Sequence, residues 1–182
     1  ARRSSDRVMP ELSLEHFDFD VCKTTINNFF KDSNQPLVLL GAGPGLSDQS
    51  EEVIEWLALN SIPFVSSWNG MCFIKSDNKN YYGNIGVYGN RGANFILQSC
   101  EKLIVLGSRL DNRQRGSNVD KFAPLADVLG IDVDEEELKK HLNEPRYRIQ
   151  KFNFKYSKDL FRKFSIRFSK DNIQWKTFCN DI

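Results

Sequence analysis

The feature that most limits how this chain can fold is a repeated pairing of a short apolar run with glycine or a small polar residue at its end. Leu37-Val38-Leu39-Leu40 stops at Gly41-Ala42-Gly43-Pro44-Gly45, and Leu103-Ile104-Val105-Leu106 stops at Gly107. Residues 128–134 repeat the pattern and end in Asp132-Val133-Asp134. A run that is apolar at every position, without alternation, suits a strand buried on both faces, the condition of a parallel sheet covered by helices. Residues 62–65 and 148–154 add two further strands. A helical stretch precedes the first strand at 21–31, and others lie between strands at 92–99 and 135–142. Another follows Gly45, where Ser47 or Asp48 is placed to cap it, Glu51 to complete a capping box, and Ile54, Leu57 and Ala58 to form the buried stripe. Strand alternating with helix predicts an α/β, three-layer fold with a mostly parallel sheet and helices on both faces.

This grammar assigns residues 1–20 to a linker, 21–165 to one domain, and 166–182 to a closing helix and a further linker. The tail carries expected helices at 158–164 and 173–179. Phe161, Phe164 and Phe168 recur at helical spacing, so the tail's lysines and arginines read as the wet side of a packed helix, not as an RNA surface. A net charge of +1 over 182 residues gives no nucleic-acid footprint. No apolar run approaches the roughly 20 residues of a membrane helix, and Ala1 to Arg7 holds no signal-peptide core, so the expected location is the cytoplasm. Four cysteines lie far apart with no Cys-x-x-Cys pair, and only His16 and His141 could join them, so no metal site is expected. Cys100 continues the spacing of Ala93, Ile96 and Leu97 and reads as a buried thiol.

In open parallel sheets, ligands bind beyond the carboxyl ends of the strands. Those ends read Gly41-Ala42-Gly43, Ser66-Ser67-Trp68-Asn69-Gly70, Gly107-Ser108-Arg109-Leu110-Asp111-Asn112-Arg113 and Asp132-Val133-Asp134. Between the second and third lies Ile85-Gly86-Val87-Tyr88-Gly89, a Gly-x-x-Gly element ahead of the helix that carries Ala93 and Asn94. In order and spacing, from about Gln35 to Leu142, this series resembles the Rossmann-like central domain of acetolactate synthase and other thiamine-diphosphate enzymes. The helix and Trp175 near the end of the chain also suit that family.

The resemblance implies an enzyme, transferase or lyase, acting on 2-oxo acids. In such an oligomeric enzyme thiamine diphosphate and magnesium lie between a pyrimidine-binding domain and a diphosphate-binding domain of a partner subunit. Neither the activating glutamate of the first nor the Gly-Asp-Gly magnesium motif of the second has a counterpart here, so no catalytic residue is expected in this chain. The partners expected are the other domains of the parent enzyme, a homo-oligomer when full-length. The central domain of some relatives carries FAD, of others an adenine nucleotide such as ADP, and of many none.

Carried over to this sequence, the cofactor-binding candidates are Gly43, Ser67, Trp68, Ile85, Gly86, Val87, Tyr88, Gly107, Ser108, Arg109, Asp111, Asp132 and Val133. Glycines admit a dinucleotide close to the backbone, Arg109 offers a fork of donors, Asp132 can accept from a ribose hydroxyl, and Trp68 can stack on a ring. The competing reading is structural: glycines close turns, Arg109 pairs with Asp111 or Asp132, Trp68 is buried at the sheet edge, and Arg113 and Arg115 are solvated on a loop. Leu46 occupies the last position of the Gly-x-Gly-x-x-Gly pattern, and Glu51 and Glu52 place negative charge in the next helix, which speaks against a pyrophosphate there. Lys155-Tyr156-Ser157-Lys158 stands where acetolactate synthases carry an acidic pair. Two alternatives stay open: a free-standing nucleotide binder related by fold to sirtuin-like or electron-transfer flavoprotein domains, and a subunit-association module.

Overall fold

The computed structural model describes residues 19–31, 33–141, 143–144, 146–151 and 179. Its strands are β1 (Pro36–Leu40), β2 (Phe64–Ser66), β3 (Tyr81–Asn84), β4 (Lys102–Leu106), β5 (Asp127–Asp132) and β6 (Tyr147–Lys151). They form one six-stranded sheet in the order β3-β2-β1-β4-β5-β6, with every pairing parallel. The chain winds outward from β1 to β3, returns beside β1 as β4, and winds outward the other way. The strand order therefore reverses between β1 and β4, which is where doubly wound sheets open a crevice.

Helices cover both faces as expected. The helices are α1 (Phe19–Phe30), α2 (Gly43–Leu46), α3 (Ser50–Leu59), α4 (Arg91–Ser99), α5 (Asn112–Arg115) and α6 (Glu135–Lys139). Val38, Leu40, Ile104 and Leu106 pack under α1 and α3, which contribute Ile26, Phe29, Phe30, Val53, Trp56 and Leu57. Leu37, Leu39, Leu103 and Val105 point the other way, toward Ala93, Ile96 and Leu97 of α4. Adjacent residues of one strand thus feed opposite cores, which is why β1 is buried at all five positions. Cys100 lies in the second core and donates to Leu97 O at 3.2 Å, and burial pushes its thiol pKa up. Cys179 joins the same core, with its thiol pushed up to about 12 by burial.

The turn after β1 departs from the sequence expectation. Gly43-Pro44-Gly45-Leu46 closes into α2, with Pro44 at its start, where no N–H is required. Asp48 adopts a φ of 59° and breaks the chain before α3, while Ser47 Oγ donates to Pro44 O at 3.1 Å. Neither residue caps α3, whose N-cap is Gln49 without a side-chain bond, so the capping box with Glu51 does not form. The buried stripe of α3 is Val53, Trp56 and Leu57, with Ile54 half-buried and Ala58 exposed, because the indole is the largest apolar group available and takes the core position. Strand β3 was hidden by its polar, glycine-containing sequence. It is held by Tyr81, whose ring lies 5.3 Å from that of Phe64 and whose hydroxyl bonds Ser66 Oγ at 2.8 Å. Of the linker expected at 1–20, residues 1–18 lie outside the described residues, while Phe19 and Asp20 already belong to α1; the helix expected at 158–164, residues 173–178 of that expected at 173–179, the phenylalanine stripe and Lys155 to Lys158 also lie outside the described residues.

Candidate functional site

At the reversal of strand order, β1 and β4 are paired through Leu40 and Leu106, and the chain beyond each turns within backbone contact of the other. Gly41 N donates to Leu106 O at 2.8 Å, and Gly43 N donates to Gly107 O at 3.0 Å. A Cβ on Gly41 would lie 1.9 Å from Gly107 O, and Gly107 itself takes a φ of 62°, so both positions require glycine. The floor of the crevice is consequently bare main chain. Above it opens a cleft of about 570 Å³, a volume within the range of small-molecule and cofactor sites.

The walls come from four strand ends. Gly43, Leu46 and Ser47 follow β1, Ser67 and Asn69 follow β2, Ser108, Arg109, Asp111 and Gln114 follow β4, Asp132 ends β5, and Val133, Asp134 and Glu137 follow it. Ser67 is fixed by its N–H donating to Leu40 O at 2.8 Å, and its Oγ accepts from Gly70 N at 3.2 Å. Ser108 Oγ donates to Gln114 Oε1 at 2.7 Å. Asp111 caps α5 by accepting from Arg113 N and Gln114 N, and Asp134 caps α6 by accepting from Glu136 N and Glu137 N. Those two carboxylates are thus committed to helix ends.

Arg109 and Asp132 carry less structural duty. The Arg109 side chain is 76% exposed, and its ion-pair partner is Glu137 at 3.8 Å, not Asp111 or Asp132 as the structural reading of the sequence had it. The loop after β4 turns Arg109 toward the first turn of α6, which the sequence does not reveal. Asp132 Oδ1 accepts from Asp134 N at 3.0 Å. Burial raises the Asp132 pKa above the ordinary carboxylate value, and Asp134 and Glu137 add to the rise, while the backbone N–H groups of Asp134 and Val133 oppose it. Since the folded state holds the proton more tightly than the unfolded one, the stability this group contributes is present at acid pH and is lost as pH rises through the raised folded pKa. Asp132→Asn should therefore raise the melting temperature at pH 7 by about 1–2 °C and leave it unchanged near pH ~3, as differential scanning calorimetry at the two pH values would record.

The remaining sequence candidates do not line this cleft. Trp68 is 60% exposed and meets Tyr88 edge-on at 6.1 Å, so it is not buried sheet-edge packing. Tyr88 and Val87 are exposed as well. Ile85 is a core residue, and Gly86 is clamped by the Asn94 amide, which accepts from Gly86 N at 2.9 Å and donates to Gly86 O at 3.1 Å. Arg113 is exposed, but Arg115 is not a solvated loop residue, for it forms an ion pair with Glu144 at 3.0 Å. Gln114 and Glu137 were not foreseen. The signal for Glu137 was its place three residues after Asp134, which puts it in the first turn of a helix that starts at the strand end.

The donor set fits the sugar and phosphate part of a nucleotide. The glycine floor leaves room for a chain of atoms against the backbone, Arg109 is a weakly paired guanidinium at the rim, and Asp132 is a strand-end carboxylate in acceptor position. Among the described residues, no group of three or more His, Cys, Asp and Glu could hold a metal, and no helix is long and apolar enough to cross a membrane.

The family model described as thiamine pyrophosphate enzyme, central domain, matches residues 24–151. The large subunit of acetolactate synthase isozyme 2 from Escherichia coli (strain K12) is 32% identical over 108 residues, which is 59% of this chain and 20% of that protein. The acetolactate synthase large subunit of Porphyra purpurea is 34% identical over 111 residues, 61% of this chain and 19% of that protein. A probable acetolactate synthase large subunit from Methanocaldococcus jannaschii is 31% identical over 111 residues, with the same two shares. The chain spans about a fifth of the length of these relatives. A family match over more than half of the chain, on a parallel sheet in doubly wound order, establishes that the chain belongs to the thiamine pyrophosphate enzyme central domain family.

Proposed function

We propose that the chain serves as the central, non-catalytic domain of a cytoplasmic, oligomeric acetolactate synthase-like enzyme acting on 2-oxo acids, and that its strand-end cleft holds FAD or an adenine nucleotide such as ADP. Thiamine diphosphate and magnesium belong in this reading to other domains of that enzyme. The observation that carries the nucleotide reading is the glycine crossing of Gly41 and Gly43 with Gly107, which bares the backbone where the strand order reverses. Gly43 and Gly107 would receive the phosphate-bearing chain, Arg109 the phosphate oxygens, Asp132 a ribose hydroxyl, and the exposed Trp68 and Tyr88 the planar ring. A bound flavin supplies a redox-active ring, and a bound adenine nucleotide supplies a ligand without one. The residues of this chain bind, orient and shield it.

A second reading, a domain that only joins subunits, is favoured by the charge of the lining, where Asp111, Asp132, Asp134 and Glu137 face the single guanidinium of Arg109. Equilibrium dialysis of the chain against FAD and against ADP separates the two. The nucleotide reading expects saturable binding of one of them in the micromolar range, weakened about 10- to 100-fold by Asp132→Ala, the loss of one hydrogen bond to a charged group. Absence of binding of either nucleotide up to about 1 mM, a free energy near −4 kcal/mol, would favour the joining domain.

A further inference from the structure

We propose that Arg115 is a positioning residue: its ion pair with Glu144, sheltered under His141, ties the cleft wall that follows β4 to the wall built on β5 and β6. The proposal rests, for its ligand consequence only, on the reading of the cleft as a nucleotide site.

The wall in question needs a tether. It is residues 107–115, ending in α5, a helix of four residues with none buried. So short a helix has no stability of its own, and the wall's apolar anchor, Leu110 in the second core, lies ahead of it and leaves its rear unheld. Besides the bond from Ser108 Oγ to Gln114 Oε1, three further attachments hold it among the described residues. Asp111 caps its front, Val87 N donates to Arg113 O at 3.0 Å at its side, and Arg115 holds its rear. Arg115 Nη1 lies 3.0 Å from Glu144 Oε1 and 3.2 Å from His141 Nδ1, and His141 Nδ1 lies 3.3 Å from the same Glu144 oxygen. The arginine and glutamate side chains are mostly buried, and the imidazole is stacked on the Tyr147 ring at 4.9 Å and 22°. Burial also pushes the Tyr147 phenol pKa up.

The partners are placed to transmit position. Glu144 lies between α6 and β6, and Tyr147 opens β6, paired with Val128 of β5. The far end of β5 carries Asp132 into the cleft, and α6 carries Glu137. Arg115 thus joins the segment bearing Ser108, Arg109, Asp111 and Gln114 to the segment bearing Asp132 and Glu137. A mostly buried guanidinium pair is a stiff link even through the single Nη1–Oε1 contact, because breaking it leaves an unpaired charge in a place water does not reach freely.

The test is amide hydrogen exchange, read residue by residue, in the chain carrying Glu144→Gln, which keeps the shape of the side chain and removes its charge. The result expected is exchange about tenfold or more faster at Gln114, Arg115 and Gly116, whose N–H groups close α5, and at Val87, with β1, β4 and α4 unchanged. Arg115→Lys, which keeps the charge on a shorter, non-planar head that does not reach both Glu144 and His141 as Nη1 does, should fall between wild type and Glu144→Gln. Lys139→Ala, on the exposed face of α6, should change none of these amides. Unchanged exchange at the α5 amides in Glu144→Gln, or uniform acceleration over the whole domain, would overturn the proposal, the second by showing a general stability role. FAD affinity measured on the same variants should fall with the exchange protection. A wild-type chain that binds neither FAD nor ADP while the local exchange effect persists upholds the tether and removes only the nucleotide reading.

Discussion

Gly41→Ala is expected to destabilise the domain by about 3 kcal/mol, lowering the urea midpoint by about 1.5 M at a slope near 2 kcal/mol/M, or to prevent folding. The added methyl would lie 1.9 Å from Gly107 O, 2.5 Å from Gly107 C and 2.6 Å from Ser108 Cα. All three are backbone atoms, so no rotamer change relieves the clash. The ends of β1 and β4 must separate, at the expense of the bonds from Gly41 N to Leu106 O and from Gly43 N to Gly107 O. Because those bonds form the floor of the cleft, the same variant should lose nucleotide binding even where enough of it folds to be assayed. A loss below about 1 kcal/mol would mean that the two strand ends do not meet as closely as described, since overpacking against main chain has no cheap relaxation.

Trp56→Ala should be as damaging by the opposite route, costing about 4 kcal/mol in the same urea titration. Trp56 is 1% exposed and sits in the core under α3 with Phe30, Val53 and Leu57, against Val38 and Leu40 of β1. Truncation removes the largest side chain of that layer and leaves a cavity that α1 and α3, both already packed on the sheet, can only partly close. Leu59→Ala, three residues on but 71% exposed, should change stability by less than about 0.5 kcal/mol. Equal losses at the two positions would place the buried face of α3 elsewhere.

Strands β1, β4 and β5 were legible because a strand covered on both faces has to be apolar at nearly every position. Edge strand β3 lacks that requirement, and Tyr82, Gly83 and Asn84 show no apolar run although the backbone pairs with β2. The α2 turn was masked by Gly43-Pro44-Gly45, whose residues suit a tight turn as well as a helix start. α5 was masked because four polar residues show no periodicity. The parallel order could be inferred only in kind, since the reversal at β1 and β4 depends on which strands pair.

The site divides along the same line. Residues at or just beyond a strand's carboxyl end, such as Gly43, Ser67, Gly107 and Asp132, were found by the rule that ligands meet the carboxyl ends of parallel strands. Residues that reach the cleft from a helix's first turn, such as Glu137, were not found. Pairs set by strand register were beyond reach too. Arg115 and Glu144 are 29 residues apart, and nothing local marks them as partners. Lining by proximity also regrouped the candidates: Trp68, Val87 and Tyr88 gather on exposed surface, while Asn94 spends its amide on holding Gly86.

The most direct test of the account is a two-dimensional amide spectrum of the isotopically labelled chain recorded with increasing FAD. Shifts are expected to concentrate at Gly43, Ser67, Trp68, Tyr88, Gly107 to Asp111 and Asp132 to Asp134, around the carboxyl ends of β1, β2, β4 and β5, with the amino ends of the strands unmoved. Shifts centred on the opposite edge of the sheet, or none with either FAD or ADP at about 1 mM, would contradict the claim that the strand-end cleft is a nucleotide site.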